Sequence, residues 1–119
     1  MKSILIVDDQ PGIRLLLKEV FSKEGYQAIT AGSGNEALEK VQQTCPDMVL
    51  LDMKIPGMDG IEILKRLKKS YPDVHVIMMT AYGELDLIKE SMKWGAERYF
   101  TKPFDVFEVR DAVRELLEQ

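Results

Sequence analysis

Three short runs in this chain are apolar at every position: Ile4-Leu5-Ile6-Val7, Met48-Val49-Leu50-Leu51 and Val76-Ile77-Met78-Met79. They limit the fold more than any other feature. A strand with one wet face alternates apolar and polar side chains. A run apolar throughout needs cover on both faces, as in a parallel sheet buried between helices. Amphipathic stretches separate the runs. The spacing predicts strands over 3–8, 26–31, 47–52, 74–79 and 97–101, and helices over 11–24, 34–44, 60–70, 84–94 and 106–117. Five βα units in series imply an α/β doubly wound fold, a parallel five-stranded sheet with helices on both faces and right-handed crossovers.

Local signals punctuate the same elements. Pro11 suits the first turn of helix one. Ser33 and Glu36 have capping-box spacing, Asp105 and Glu108 imitate it, and Asp59 can cap helix three. Gly25 and Gly95 fall where helix C-caps are expected. At roughly 100° per residue, Ile13, Leu16, Leu17, Val20 and Phe21 form the core stripe of helix one, with Leu15 nearly opposite and exposed. Trp94 and Met92 are expected to pack at the end of helix four, and the seven methionines to fill the core.

With 119 residues the chain fits one domain that can bury a core unaided. No linker or repeat marks a second one, so residues 1–119 are expected to form a single unit with no output domain. Net charge is −4 without a basic block, which argues against nucleic-acid binding. No stretch approaches the roughly 20 apolar residues of a membrane span. The single cysteine, Cys45, fits a reducing cytoplasm.

The chemistry lies where the strands end. Ligands of open α/β sheets bind beyond the carboxyl ends of the strands. Asp8 and Asp9 follow strand one, Asp52 ends strand three, Thr80-Ala81 follow strand four and Lys102-Pro103 follow strand five. Three carboxylates at one rim cannot all stay ionised without a cation, and an all-oxygen cluster suits Mg²⁺. Carboxylates, a hydroxyl and a fixed ammonium together suit phosphoryl transfer, whose catalysis is mostly positioning and charge neutralisation. Asp52 would be the nucleophile, Thr80 a hydrogen-bond donor and Lys102 the cation. Taken singly, each residue is an ordinary turn or surface residue; their value lies in coincidence.

Val7-Asp8-Asp9, Asp52, Pro56-Gly57-Met58-Asp59-Gly60, Thr80-Ala81 and Lys102-Pro103-Phe104 stand in the order and spacing of two-component response-regulator receiver domains, which the chain resembles over essentially its full length. The resemblance, not the hydropathy pattern, implies the flavodoxin-like strand order 2-1-3-4-5. It implies that Asp52 is phosphorylated from a phosphohistidine. It implies Mg²⁺, with Mn²⁺ or Ca²⁺ able to substitute, on Asp8, Asp9, Asp52 and the backbone carbonyl of Lys54. It also implies a cis Lys102-Pro103 peptide and a switch formed by Thr80 and Tyr99. Leu50 to Lys65 and Met79 to Asp86 are similar to the stand-alone receivers of bacillar sporulation phosphorelays. Such a receiver is a phosphotransferase that takes phosphate from sensor histidine kinases and passes it to a histidine phosphotransferase. An aspartyl-phosphate phosphatase is a further partner of that class, and a monomer is expected. Lys54 stands where many members carry Asn, and Tyr99 where His is expected in such a relay receiver.

Lys54 and Tyr82 lie two residues past Asp52 and Thr80, where they could flank a phosphoryl group and restrict water; the alternative is that both face solvent. A partner surface is expected from Gln10, Gly12, Ile13, Arg14 and Leu15, with Pro103 and Phe104 opposite. His75 falls at the end of strand four away from the carboxylates, and nothing near Cys45 suggests an activated thiolate. Three other functions remain. A chemotaxis-type single-domain regulator would bind a target without passing phosphate on. A haloacid-dehalogenase-type phosphohydrolase wants an Asp where Lys54 stands. A flavin carrier would bring its phosphate against three carboxylates.

Overall fold

The structure, a computed structural model, describes residues 1–81 and 83–118. Five strands and five helices alternate along it. They are β1 (Ser3–Val7), α1 (Pro11–Lys23), β2 (Gln27–Ala31), α2 (Gly34–Thr44), β3 (Met48–Asp52), α3 (Gly60–Ser70), β4 (His75–Ala81), α4 (Leu85–Lys93), β5 (Arg98–Lys102) and α5 (Val106–Leu117). All pairings are parallel, in the order β2-β1-β3-β4-β5. β1 and β3 are direct neighbours, with Val7 opposite Leu51. The crevice beyond that pair is where the chain direction across the sheet reverses, so it is the expected ligand position of such a fold.

The three apolar runs are buried on both faces. Leu5, Val7, Val49, Leu51, Val76 and Met78 point into one core with Ala37 and Val41 of α2 and Ile63, Leu64 and Leu67 of α3. Ile4, Ile6, Met48, Leu50, Ile77 and Met79 point into the other, against Leu17 and Phe21 of α1 and Val109, Val113 and Leu117 of α5. No helix among the described residues is long and apolar enough to cross a membrane.

The helix ends follow the sequence signals with two differences. Ser33 accepts from the Glu36 N–H at 3.2 Å and Asp59 from the Glu62 N–H at 2.9 Å. The Glu36 carboxylate, however, reaches back to the Gly32 N–H rather than that of Ser33. Asp105 caps through the Phe107 N–H instead of pairing with Glu108. Gln10, the N-cap of α1, makes no side-chain cap. Gly25 and Gly95 follow the caps Glu24 and Trp94 with φ of 92° and 109°, a left-handed backbone that disfavours any residue with a Cβ.

Several expectations about side chains need correction. Leu16 is 46% exposed, because Leu17 and Phe21, four apart, alone take the buried stripe of α1. Met92 and Trp94 are about as exposed, the indole instead lying under the Lys65 ammonium at 4.6 Å. Met1 and Met92 do not fill the core, and Met58 is only half-buried. β4 and β5 extend to Ala81 and Lys102, so Thr80 and Lys102 lie within strands, paired as Thr80 with Thr101 and Ala81 with Lys102.

Candidate functional site

The crevice beyond β1 and β3 brings Asp8, Asp9 and Asp52 together. One carboxylate oxygen from each lies within 4.8 Å of the others. Asp52 is held by β3 itself, the central strand, and is only 6% exposed. Its Oδ1 accepts from the Lys54 N–H at 3.3 Å and its Oδ2 from the Lys102 ammonium at 3.2 Å. Asp8 is fully buried. Its Oδ1 accepts from the Gln10 N–H at 2.9 Å, and its Oδ2 takes Lys102 Nζ at 2.7 Å. Asp9 is exposed and offers its carboxylate at the mouth.

Three carboxylates thus cluster here, two of them bonded to the Lys102 ammonium. Burial, and next the charge of Asp8, push the Asp52 carboxyl above its usual range against the opposing pull of Lys102. Burial disfavours the Lys102 ammonium, but the hydrogen bond to Asp8 and the charges of Asp52 and Asp8 outweigh it and hold its pKa up. Excess negative charge on hard oxygen donors fits a divalent cation of the magnesium type. A cavity of about 210 Å³, lined by Asp9, Gln10, Asp52, Met53, Lys54, Ala81 and Lys102, leaves room for a phosphoryl group above Asp52.

The remaining residues fall as follows. Thr80 is buried, and its hydroxyl donates to Glu84 Oε2 at 3.0 Å and to the Ala81 carbonyl at 3.3 Å. Lys54 carries a largely exposed side chain whose ammonium lies 2.6 Å from Glu84 Oε1. Tyr82 is outside the described residues. Tyr99 is exposed on β5, and Lys102-Pro103 is cis. Glu84 is the residue that sequence reasoning missed. Its only signal was spacing, four residues past Thr80 and directly before a helix.

Beside the crevice a groove of about 430 Å³ is lined by Gln10, Ile13, Leu16, Lys102, Pro103 and Phe104. It joins four of the residues expected at a partner surface and adds Leu16 and Lys102. Gly12, Arg14 and Leu15 are not among its walls. Arg14 is turned inward, its Nη1 donating to the Asp8 carbonyl at 2.8 Å. Its guanidinium covers Gly32, where a Cβ would meet Nη1 at 3.1 Å. His75 bonds Glu97 at 2.7 Å at the opposite end of the strands from the carboxylates.

An acidic crevice at the β1–β3 switch point, with a lysine on β5 and a hydroxyl on β4, is the arrangement of a receiver domain. The response regulator receiver domain model matches residues 4–114, and the chain belongs to that family. Sporulation initiation phosphotransferase F of Bacillus subtilis (strain 168) is 62% identical over 116 residues, covering 98% of this chain and 94% of that protein. Chemotaxis protein CheY of Halobacterium salinarum is 38% identical over 116 residues, covering 98% and 97% respectively. A CheY-like response regulator receiver domain protein from Methanospirillum hungatei superposes with a TM-score of 0.95 at 33% identity, over 99% of this chain and 94% of that one.

Proposed function

We propose that the chain is the phosphoryl-accepting receiver of a two-component phosphorelay. It takes a phosphoryl group from a sensor histidine kinase onto Asp52 and passes it to a histidine phosphotransferase. The observation that carries this reading is the buried Asp52 carboxylate, held between Asp8 and Lys102 below an open cavity. The 62% identity to Sporulation initiation phosphotransferase F supports sporulation initiation as the process and a stand-alone, cytoplasmic receiver over residues 1–119 as the working unit.

In this reading an Asp52 carboxylate oxygen attacks phosphorus. As the O–P bond forms, the bond from phosphorus to the histidine nitrogen breaks, and its electron pair stays on the imidazole. Lys102 neutralises charge on a phosphoryl oxygen, and the Thr80 hydroxyl donates to another. Asp8, Asp9, Asp52 and the Lys54 carbonyl would hold Mg²⁺, which adds charge neutralisation. Asp8 also fixes Lys102, which explains why its carboxylate is buried while Asp9 is exposed. Tyr99, on the strand beside Thr80, is assigned the family's switch position. The apolar groove of Ile13, Leu16, Pro103 and Phe104 abuts Lys102, so a partner helix seated there would bring its histidine to the crevice.

Label transfer tests the relay. The chain phosphorylated on Asp52 is mixed with a histidine phosphotransferase of a sporulation relay, and the label is followed. It is expected to move to the partner's histidine and to return when labelled partner meets unlabelled chain. Label that never leaves Asp52 except to water would contradict the relay and leave a regulator acting by binding alone.

A further inference from the structure

Glu84 stands at the N-cap of α4, a position favoured by Ser, Thr, Asp and Asn, whose short side chains reach the free N–H groups of the first turn. Its carboxylate caps nothing. It is used on both oxygens elsewhere: Oε2 accepts the Thr80 hydroxyl at 3.0 Å, and Oε1 pairs with Lys54 Nζ at 2.6 Å. Glu84 is therefore a bridge between the loop after β3 and the end of β4, two segments that border Asp52. A threonine hydroxyl has a single proton to donate. While it is given to Glu84 or to the Ala81 carbonyl, it is not available to a phosphoryl oxygen.

We propose that Glu84 is a latch on the phosphoacceptor site, a positioning residue that holds the Thr80 hydroxyl in the unphosphorylated protein and must release it when Asp52 carries a phosphoryl group. The inference rests on the receiver reading above and adds a residue to it. The bond from Thr80 to Glu84 is exchanged for one from Thr80 to phosphoryl oxygen, so the strength of the first opposes formation of the second. Lys54 anchors the latch from the opposite side. Its ammonium is turned to Glu84, and after release it remains the charge partner that keeps the Glu84 carboxylate from being left beside the phosphoryl anion unpaired.

The test is the affinity for beryllofluoride, a phosphoryl mimic, in the presence of Mg²⁺, followed by the chemical shifts of Thr80 and Asp52. Glu84→Ala removes the acceptor and is expected to tighten binding on the order of tenfold, the scale of one hydrogen bond to a charged group. Glu84→Gln drops the charge but keeps an oxygen acceptor, and is expected to recover most of the unaltered affinity. In a Thr80→Ala background the gain from Glu84→Ala should vanish. The same gain in that background would mean that Glu84 acts through its charge alone, and would overturn the latch. Unchanged affinity in Glu84→Ala would overturn it as well, while leaving the receiver reading intact. Failure of the unaltered chain to bind beryllofluoride would overturn both.

Discussion

Asp52 illustrates how a functional residue is bought at the expense of the fold. Its carboxyl is buried beside Asp8, and those two causes, in that order, raise its pKa despite Lys102. The folded chain therefore holds the Asp52 proton more tightly than the unfolded chain does. By linkage, the stabilising contribution of this group is complete below the unfolded pKa and is lost as pH rises through the folded one. At neutral pH and without divalent cation, ionised Asp52 costs stability, so Asp52→Asn should melt at a higher temperature than the unaltered chain. Thermal melts between about pH 4 and about pH 7 should show the difference shrinking as pH falls. Mg²⁺ should reverse the order. At 100 times its dissociation constant it stabilises the unaltered chain by about 2.7 kcal/mol, and Asp52→Asn, with one ligand neutralised, should gain less. A mutant less stable than the unaltered chain in metal-free buffer would contradict this account of Asp52.

At the scale of elements, α3 is set against the phosphoacceptor by Gly60. A Cβ there would come within 2.8 Å of the Met53 carbonyl oxygen and 3.0 Å of the Asp52 carbonyl oxygen, both backbone atoms that cannot step aside. The Gly60 N–H also donates to that Met53 carbonyl at 3.0 Å. Gly60→Ala is therefore expected to cost about 1–3 kcal/mol in chemical denaturation, the range of an overpacked site. It should slow phosphorylation of Asp52 by displacing its backbone. Gly12→Ala is its control: nothing lies within 4 Å of a Cβ there, so it should be neutral or stabilise α1. Loss of stability equal in the two variants would contradict the close approach at Gly60.

The element scale also separates what was legible from what was not. Runs apolar on both faces have one interpretation, and β1, β3 and β4 sit where the sequence puts them. Their ends were less legible. β4 continues through Thr80 and Ala81 because Thr101 and Lys102 pair with them, and pairing with a distant strand leaves no local mark. Leu16 was misplaced because a helical stripe drawn through Ile13 and Phe21 is wide enough to include it, while only contact with the sheet decides the edge. The carboxylates were legible because strand ends converge in any parallel sheet. Glu84 was not: its role depends on how the chain turns between β4 and α4, which spacing alone leaves open.

Across the whole molecule, the acidic crevice and the apolar groove share one rim. Lys102 belongs both to the crevice and to the groove formed with Ile13, Leu16 and Phe104. Ile13, Leu16 and Phe104 line the groove and are not among the walls of the crevice. Ile13→Ala should accordingly slow phosphotransfer to and from a histidine protein at least tenfold, about the 1.4 kcal/mol expected for part of one apolar anchor. Its rate with a small-molecule donor such as phosphoramidate should be unchanged. Equal slowing of both would mean that Ile13 supports the crevice itself and not a docking surface.

The central claim is that Asp52 is a magnesium-dependent phosphoacceptor, and intact-mass measurement tests it most directly. The chain is incubated with acetyl phosphate or phosphoramidate, with and without Mg²⁺, beside Asp52→Asn. A single phosphoryl adduct that needs Mg²⁺ and is absent from the mutant is the expected result. An adduct that persists in Asp52→Asn, or none with any donor although Mg²⁺ binds, would contradict the account.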